Sequence, residues 1–313
     1  MRNDRAPPSN ASPASDPINE HMTSSWMLVA GALFALVGAL AKFVGAQFSG
    51  AELAMYRSMF GLVAIGVFLM WQHKSPRTPF WKGHFWRGAT GTISLVAYFY
   101  ALRELPLATA ITLNYTSPIW LILLSVLLLK ERFNPRLLAA ITLGFVGMAM
   151  VLRPAFASDQ AVPGLIGLAS GFFAACAYVN VKKLGEAGEP AWRVVFYFSL
   201  IGTFGSALVQ PLDGPFHPVN VGNVWPLLGM GFLATLAQLA MTRAYHSGNT
   251  QVVGVFAYST VIFAALIGMF FFDEQLPLLG WIGMLVIMVS GLLAKWTSEK
   301  PGNTTPNLPA EED

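Results

Sequence analysis

The chain has 313 residues, of which 55% are hydrophobic and only 11% charged, and its mean hydropathy is +0.55. Soluble domains carry about a quarter charged residues, so this composition excludes a water-facing globule and implies a polytopic membrane protein. The net charge of +3 comes from short basic clusters between apolar stretches, the pattern of membrane orientation rather than of a nucleic-acid surface.

Crossing the hydrocarbon core takes about 20 apolar residues in a helix. Residues 1–24, rich in Pro, Ser and Asn, are predicted to form a disordered cytoplasmic tail, with Met22 as an alternative start. No small-residue cleavage site follows the first apolar run, so that run reads as a retained span. Ten spans are predicted, at 25–43, 52–72, 86–102, 106–129, 136–153, 163–181, 192–210, 225–244, 250–272 and 279–296, and 297–313 forms a second disordered tail. Basic residues such as Lys74, Arg77, Lys82, Arg87, Lys130, Arg136, Lys182, Lys183, Arg193, Arg243 and Lys295 fall on one side, against Arg103 and Arg153 on the other. The positive-inside rule then places both termini in the cytoplasm, and Trp26, Trp71, Trp192, Trp225 and Trp296 mark span ends as interfacial anchors.

The fourth span contains ITLNYTSPIW, Ile111 to Trp120, where four polar residues precede a proline. Pro118 has no N–H, so the carbonyl of Asn114 loses its helical partner and a kink is expected. Asn114 and Ser117 share a helix face, while Tyr115 is rotated from Asn114 by about 100°. Two readings fit these groups: they line a substrate site, or they satisfy backbone carbonyls and bridge neighbouring helices. In the ninth span, AYSTV offers Tyr258 and Ser259 in the same role. Tyr98, Tyr100, Trp120, Tyr178, Asn180 and Gln238 are secondary binding candidates.

The chain also resembles itself. A shift of 143 residues aligns 88–131 with 231–274, matching Thr92 with Thr235, Tyr115 with Tyr258 and Glu131 with Glu274. A shift of 141 pairs Lys42 with Lys183, Ser58 with Ser199 and Gly61 with Gly202. Five spans per half is an odd number, so the second repeat enters the membrane upside down, as in many secondary transporters. The expected fold is an all-α integral membrane protein with ten transmembrane helices, in two inverted five-helix repeats, 25–153 and 163–296, around a central cavity. Symmetry suggests two ion pairs acting as gates or braces, Lys42–Glu274 and Lys183–Glu131. Arg57, about five residues into its span, reads as snorkelling or ion-paired in preference to touching substrate.

The segment FYALRELPLATAITLNYTSPIWLILLSVLLLKERF, Phe99 to Phe133, and its weaker echo from Thr242 to Leu276 resemble the EamA family of the drug/metabolite transporter superfamily. The resemblance implies a ten-helix basket whose cavity is lined mainly by the first, third, fourth, sixth, eighth and ninth helices. It implies transport of a small organic metabolite across a bacterial inner membrane: an amino acid, an S-adenosylmethionine-like compound, a vitamin, or an aromatic or cationic compound. The second repeat departs from the pattern in carrying Val261 where the first has Pro118, so the halves need not move alike.

No Asp or Glu lies at mid-depth in any span, which leaves proton coupling unsupported. One cysteine, Cys176, precludes an intrachain disulfide, and the scattered histidines have no metal-ligand spacing, so no cofactor, metal or catalytic residue is expected. A channel or a membrane scaffold is the alternative reading, with an intramembrane enzyme behind both. The expected partners are a small-molecule substrate and the lipid bilayer, with no nucleic acid and a monomeric state.

Overall fold

The computed structural model describes residues 23–44, 47–105, 107–130, 134–153, 160–273 and 275–298. They form helices in the order α1 (Trp26–Val44), α2 (Gly50–Trp71), α3 (Trp81–Glu104), α4 (Leu107–Asn114), α5 (Ser117–Leu128), α6 (Pro135–Leu152), α7 (Ala161–Glu186), α8 (Ala191–Asp213), α9 (Val221–Ser247), α10 (Thr250–Ala257), α11 (Ser259–Phe272) and α12 (Leu278–Ser298), joined by short non-helical segments. With α4–α5 and α10–α11 each taken as one interrupted span, eight stretches among the described residues are long and apolar enough to cross a membrane. The apolar part of α1, Trp26–Ala41, is shorter. Helix α3 falls short on composition, because Lys82, His84, Arg87, Arg103 and Glu104 lower its hydropathy.

Local sequence sets the helix ends. Ser49 and Glu52 form a capping box at the start of α2, with each side chain bonded to the other's backbone N–H. Asn134 caps α6 and is followed by Pro135, whose missing N–H costs nothing in the first turn. Asn220 and Asn249 cap α9 and α10. Arg153 and Asp273 close α6 and α11 in the left-handed conformation.

The interior is a continuous cluster of Leu121, Ile122, Ile141, Met148, Val181, Tyr245, Val253, Tyr258 and their neighbours. Large apolar side chains also cover the outside: Leu208 is 81% exposed, Phe270 78% and Met70 70%. An apolar exterior of this kind would be unstable in water and belongs against lipid tails.

The helix pairings have an internal regularity. Helix α3 packs on α7 and α9 on α1; α3 packs on α8 and α9 on α2; α5 packs on α7 and α11 on α1; α2 packs on α8, and α6 on α12. Exchanging the first six helices with the last six reproduces every one of these pairs. The α2–α8 crossing repeats this in its side chains. A Cβ on Gly61 would meet Ser199 Oγ at 2.7 Å and Thr235 Oγ1 at 3.2 Å, and one on Gly202 would meet Ser58 Oγ at 2.9 Å and Thr92 Oγ1 at 4.0 Å. Each residue of the first set is the sequence-repeat counterpart of one in the second.

Candidate functional site

Two interrupted spans meet at the centre. Between α4 and α5 the Tyr115 N–H still reaches Ile111, but the Thr116 N–H turns to the Leu113 carbonyl, and Thr116 Oγ1 donates to that carbonyl at 2.7 Å. Between α10 and α11 the Tyr258 N–H likewise bonds Val255, three residues back. Both spans are therefore interrupted at the matched tyrosines, although only the first carries a proline there. Close helix approaches fit the breaks. A Cβ on Gly171 of α7 would lie 2.8 Å from the Leu113 carbonyl oxygen and 2.9 Å from that of Asn114. On the other half, a Cβ on Gly31 of α1 would lie 2.9 Å from Ser259 Oγ.

The breaks bring Tyr115 and Tyr258 together, with ring centroids 6.4 Å apart and planes tilted by 31°. Tyr98 lies within electrostatic reach of Tyr115, and Tyr245 within reach of Tyr115, Tyr178 and Tyr258. Tyr178 stacks on Tyr245 at 4.6 Å with planes 13° apart. Tyr245 and Tyr258 are fully buried, yet neither hydroxyl has a hydrogen-bond partner among the described residues. A file of phenol rings thus runs from the helix breaks into the α7–α9 contact.

At the end of this file are two arginines. Arg87 of α3 is 2% exposed, its guanidinium sits 4.2 Å from the centre of the Phe198 ring, and its Nε is without a partner. Arg57 of α2 lines a narrow crevice with Ser58, Val195, Phe198, Ser199, Thr235 and Gln238. That crevice has about 10 Å³ of free volume, room for one water at most. Tyr178 is in electrostatic reach of both guanidinium groups, which also feel each other. Among the described residues no hydrogen bond or ion pair involves either arginine, and the nearby Gln238 Nε2, Ser58 Oγ and Thr92 Oγ1 are also buried without partners. A wider groove of about 400 Å³ on the outer face of α12, at Val289, Leu292, Leu293, Lys295 and Trp296, lies apart from these groups and opens where lipid would be.

The remaining candidates fall into two sets. Asn114 Nδ2 donates to Ser170 Oγ of α7 at 3.0 Å, Asn180 Nδ2 to the Cys176 carbonyl one turn back at 2.9 Å, and Trp120 meets Phe172 edge-on at 5.6 Å. Ser117 is buried beside Pro118 at the start of α5. These residues are engaged in helix packing, whereas Gln238 lines the crevice and Ser259 Oγ is buried without a partner at the second break. Glu131, Glu274 and the side chain of Lys42 lie outside the described residues, so both expected ion pairs do as well; Lys183 is exposed at the end of α7.

Sequence reasoning missed three features. Arg87 is grouped by sequence with the loop cations but is enclosed, because Gly91 leaves room for its guanidinium and Phe198 covers it. Its place just inside the predicted third span was the available signal. The other two are polar clasps. Glu52, fully buried in the first turn of α2, accepts from the His217 N–H at 2.7 Å and bonds His217 Nδ1 at 2.8 Å, fastening the segment before α9. Glu189, just before α8, bonds Thr78 Oγ1 at 2.6 Å, His84 Nε2 at 2.9 Å and Arg193 Nη1 at 3.0 Å. Burial pushes the Glu189 carboxyl up, but its bonds from Thr78, His84 and Arg193 outweigh this and hold it below the usual carboxylate value.

A helical membrane protein with broken central spans, internal repeat contacts and a polar interior has the build of a solute carrier. The sequence profile of the EamA-like transporter family matches residues 21–153 and again 163–295, and the chain belongs to that family. It is 29% identical over 277 residues to an uncharacterized transporter of Helicobacter pylori, covering 86% of this chain and 93% of the relative. It shares the same identity with a pseudopaline exporter of Pseudomonas aeruginosa over 263 residues, 84% of this chain and 92% of that one. A riboflavin transporter of Vibrio cholerae is also 29% identical, over 282 residues, 88% of this chain and 93% of the relative. A solved crystal structure superposes with a TM-score of 0.78 at 21% identity, over 88% of this chain and 99% of that one, and so has the same fold. The protein is a multi-pass membrane transporter for a small molecule.

Proposed function

We propose that the chain is a secondary transporter that moves a small organic metabolite across a bacterial inner membrane by alternating access. Ten spans form two inverted five-helix repeats, 25–153 and 163–296, with both termini cytoplasmic and one chain sufficient to enclose the path. The observation that carries this reading is the reciprocal α2–α8 crossing, where Gly61 meets Ser199 and Thr235 while Gly202 meets Ser58 and Thr92. Reciprocal contacts between repeat counterparts support a two-fold axis in the membrane plane, about which the halves can rock. Relatives named for pseudopaline and riboflavin support an organic solute.

Tyr98, Tyr115, Tyr178, Tyr258, Ser259 and Gln238 form the substrate path, and the stacking of Tyr178 on Tyr245 supports including Tyr245. The tightness of the crevice means that substrate enters only when the halves move apart. Purified protein in liposomes loaded with a defined mixture of amino acids, organic acids, nucleosides, flavins and organic cations tests this by mass spectrometry. At least one solute is expected to show saturable, protein-dependent counterflow. Release identical to that of empty liposomes would overturn carriage, and flux without saturation or counterflow would favour a channel.

A further inference from the structure

We propose that Arg57 and Arg87 together receive the carboxylate of the transported solute, whose planar apolar body lies against the rings of Phe198, Tyr178 and Tyr245. This rests on the transport reading above and assigns its substrate class: an organic anion carrying an aromatic or similarly flat group.

The first support is energetic. A buried guanidinium such as that of Arg87 needs a partner, because burial strips away its hydration, and the half-buried Arg57 adds a second positive charge to the crevice that Phe198 also lines. Among the described residues neither arginine has a hydrogen bond or a carboxylate, and the ring of Phe198 is the clearest compensation Arg87 receives. An anion placed between them would satisfy both, and the planar guanidinium fork matches a carboxylate in two parallel hydrogen bonds.

The second support is the composition of the lining. Gln238 Nε2, Arg87 Nε, Ser58 Oγ and Thr92 Oγ1 are buried and, among the described residues, unpartnered; all can donate, so the surroundings are rich in donors, with no carboxylate among the described lining residues. Such a lining suits a ligand that only accepts.

The third is symmetry. The residues that build the crossing come in repeat pairs: Ser58 with Ser199, Gly61 with Gly202, Thr92 with Thr235, Tyr115 with Tyr258. The arginines do not. The shift of 141 carries Arg57 onto Phe198, and the shift of 143 carries Arg87 onto Met230. The paired scaffold therefore needs no cation at either place, and the two charges break its symmetry at one spot. Arg57 is seven residues past Gly50, about 10 Å along α2, and it points to the crevice rather than to the near interface.

The test uses the full chain in lipid nanodiscs and follows its thermal unfolding with 2-naphthoate, its neutral isostere 2-naphthamide, 2-naphthyl phosphate, and sodium chloride at matched ionic strength. A saturable rise in Tm with 2-naphthoate is expected, with the amide about tenfold weaker or more. Arg57→Gln and Arg87→Gln should each weaken the naphthoate response about tenfold, while Arg136→Gln on the exposed start of α6 leaves it unchanged. Should a Gln variant fail to fold, Arg57→Lys and Arg87→Lys keep the charge without the fork and are expected to give an intermediate loss. Equal responses to acid and amide, an equal response to chloride, a naphthoate response indifferent to both arginines, or no response at all would overturn the proposal. A stronger response to the phosphate would overturn the carboxylate in favour of a phosphoryl group. The counterflow assay separates the two levels: movement of neutral or cationic solutes alone sinks the anion site and leaves the carrier, while no movement of any solute sinks the carrier.

Discussion

Asn114 shows what the tertiary environment does to one polar side chain. Its sequence context admits either substrate binding or helix bridging, and its Nδ2 is given to Ser170 Oγ at 3.0 Å. Ser170 in turn donates to the Gly167 carbonyl, and its own carbonyl accepts from Ser94, so the bond ties α4 to α7 within a small polar network. Interhelical bonds of this kind in membranes are worth about 0.6 kcal/mol by double-mutant cycles. Asn114→Ala and Ser170→Ala should therefore each lower unfolding stability, with a coupling energy near that value when combined. The half-saturation concentration for counterflow should stay within about twofold for Asn114→Ala, because a tie between helices is not a ligand contact. The Ser170 bond was not legible in ITLNYTSPIW, since it depends on which rotation of the helix faces α7.

The interrupted spans belong to the element scale. Pro118 made one break readable, whereas no proline marks the other, where Val261 stands; both breaks occur at the matched tyrosines. What the halves share is a glycine on a neighbouring helix that lets it press against the break. Gly171 does so against backbone carbonyls that cannot swing away, so Gly171→Ala should cost about 1–3 kcal/mol in reversible unfolding. Gly66, inside α2 with nothing within 4 Å of its would-be Cβ, is the opposite case. There Gly66→Ala should stabilise by up to about 1 kcal/mol, from helix propensity alone. Loss of stability at Gly66 and none at Gly171 would refute the packing described for both.

At the scale of the whole molecule, two buried glutamates fasten different ends of the α2–α8 pair. Glu52 holds the segment before α9 to the start of α2, and Glu189 holds the segment before α3 and the start of α3 to the start of α8. Glu189 gives the arrangement a pH signature. Its folded-state value lies below the ordinary 4.5, so its contribution is complete above about pH 4.5 and is lost as pH falls through the folded value. The Tm of the native chain should accordingly fall on the acid side of that window. Glu189→Gln should start lower at neutral pH and show a shallower acid limb; an unchanged profile would remove Glu189 from the stability account.

The sequence by itself determined the membrane setting, most of the span positions, the internal repeat and the family, because hydropathy, span length and a repeated motif are properties of contiguous residues. It also marked Tyr115 and Tyr258 as counterparts, and they meet across the broken spans. Only the tertiary structure decided which side chains share a site. Arg57 and Arg87 lie thirty residues apart on different helices, and their convergence on Tyr178 and Phe198 follows from how α2, α3, α7 and α8 are rotated against one another. That rotation is poorly written in the sequence of a membrane helix. Leu and Phe are equally at home against lipid and in the core, so apolar pattern alone does not say which face turns inward.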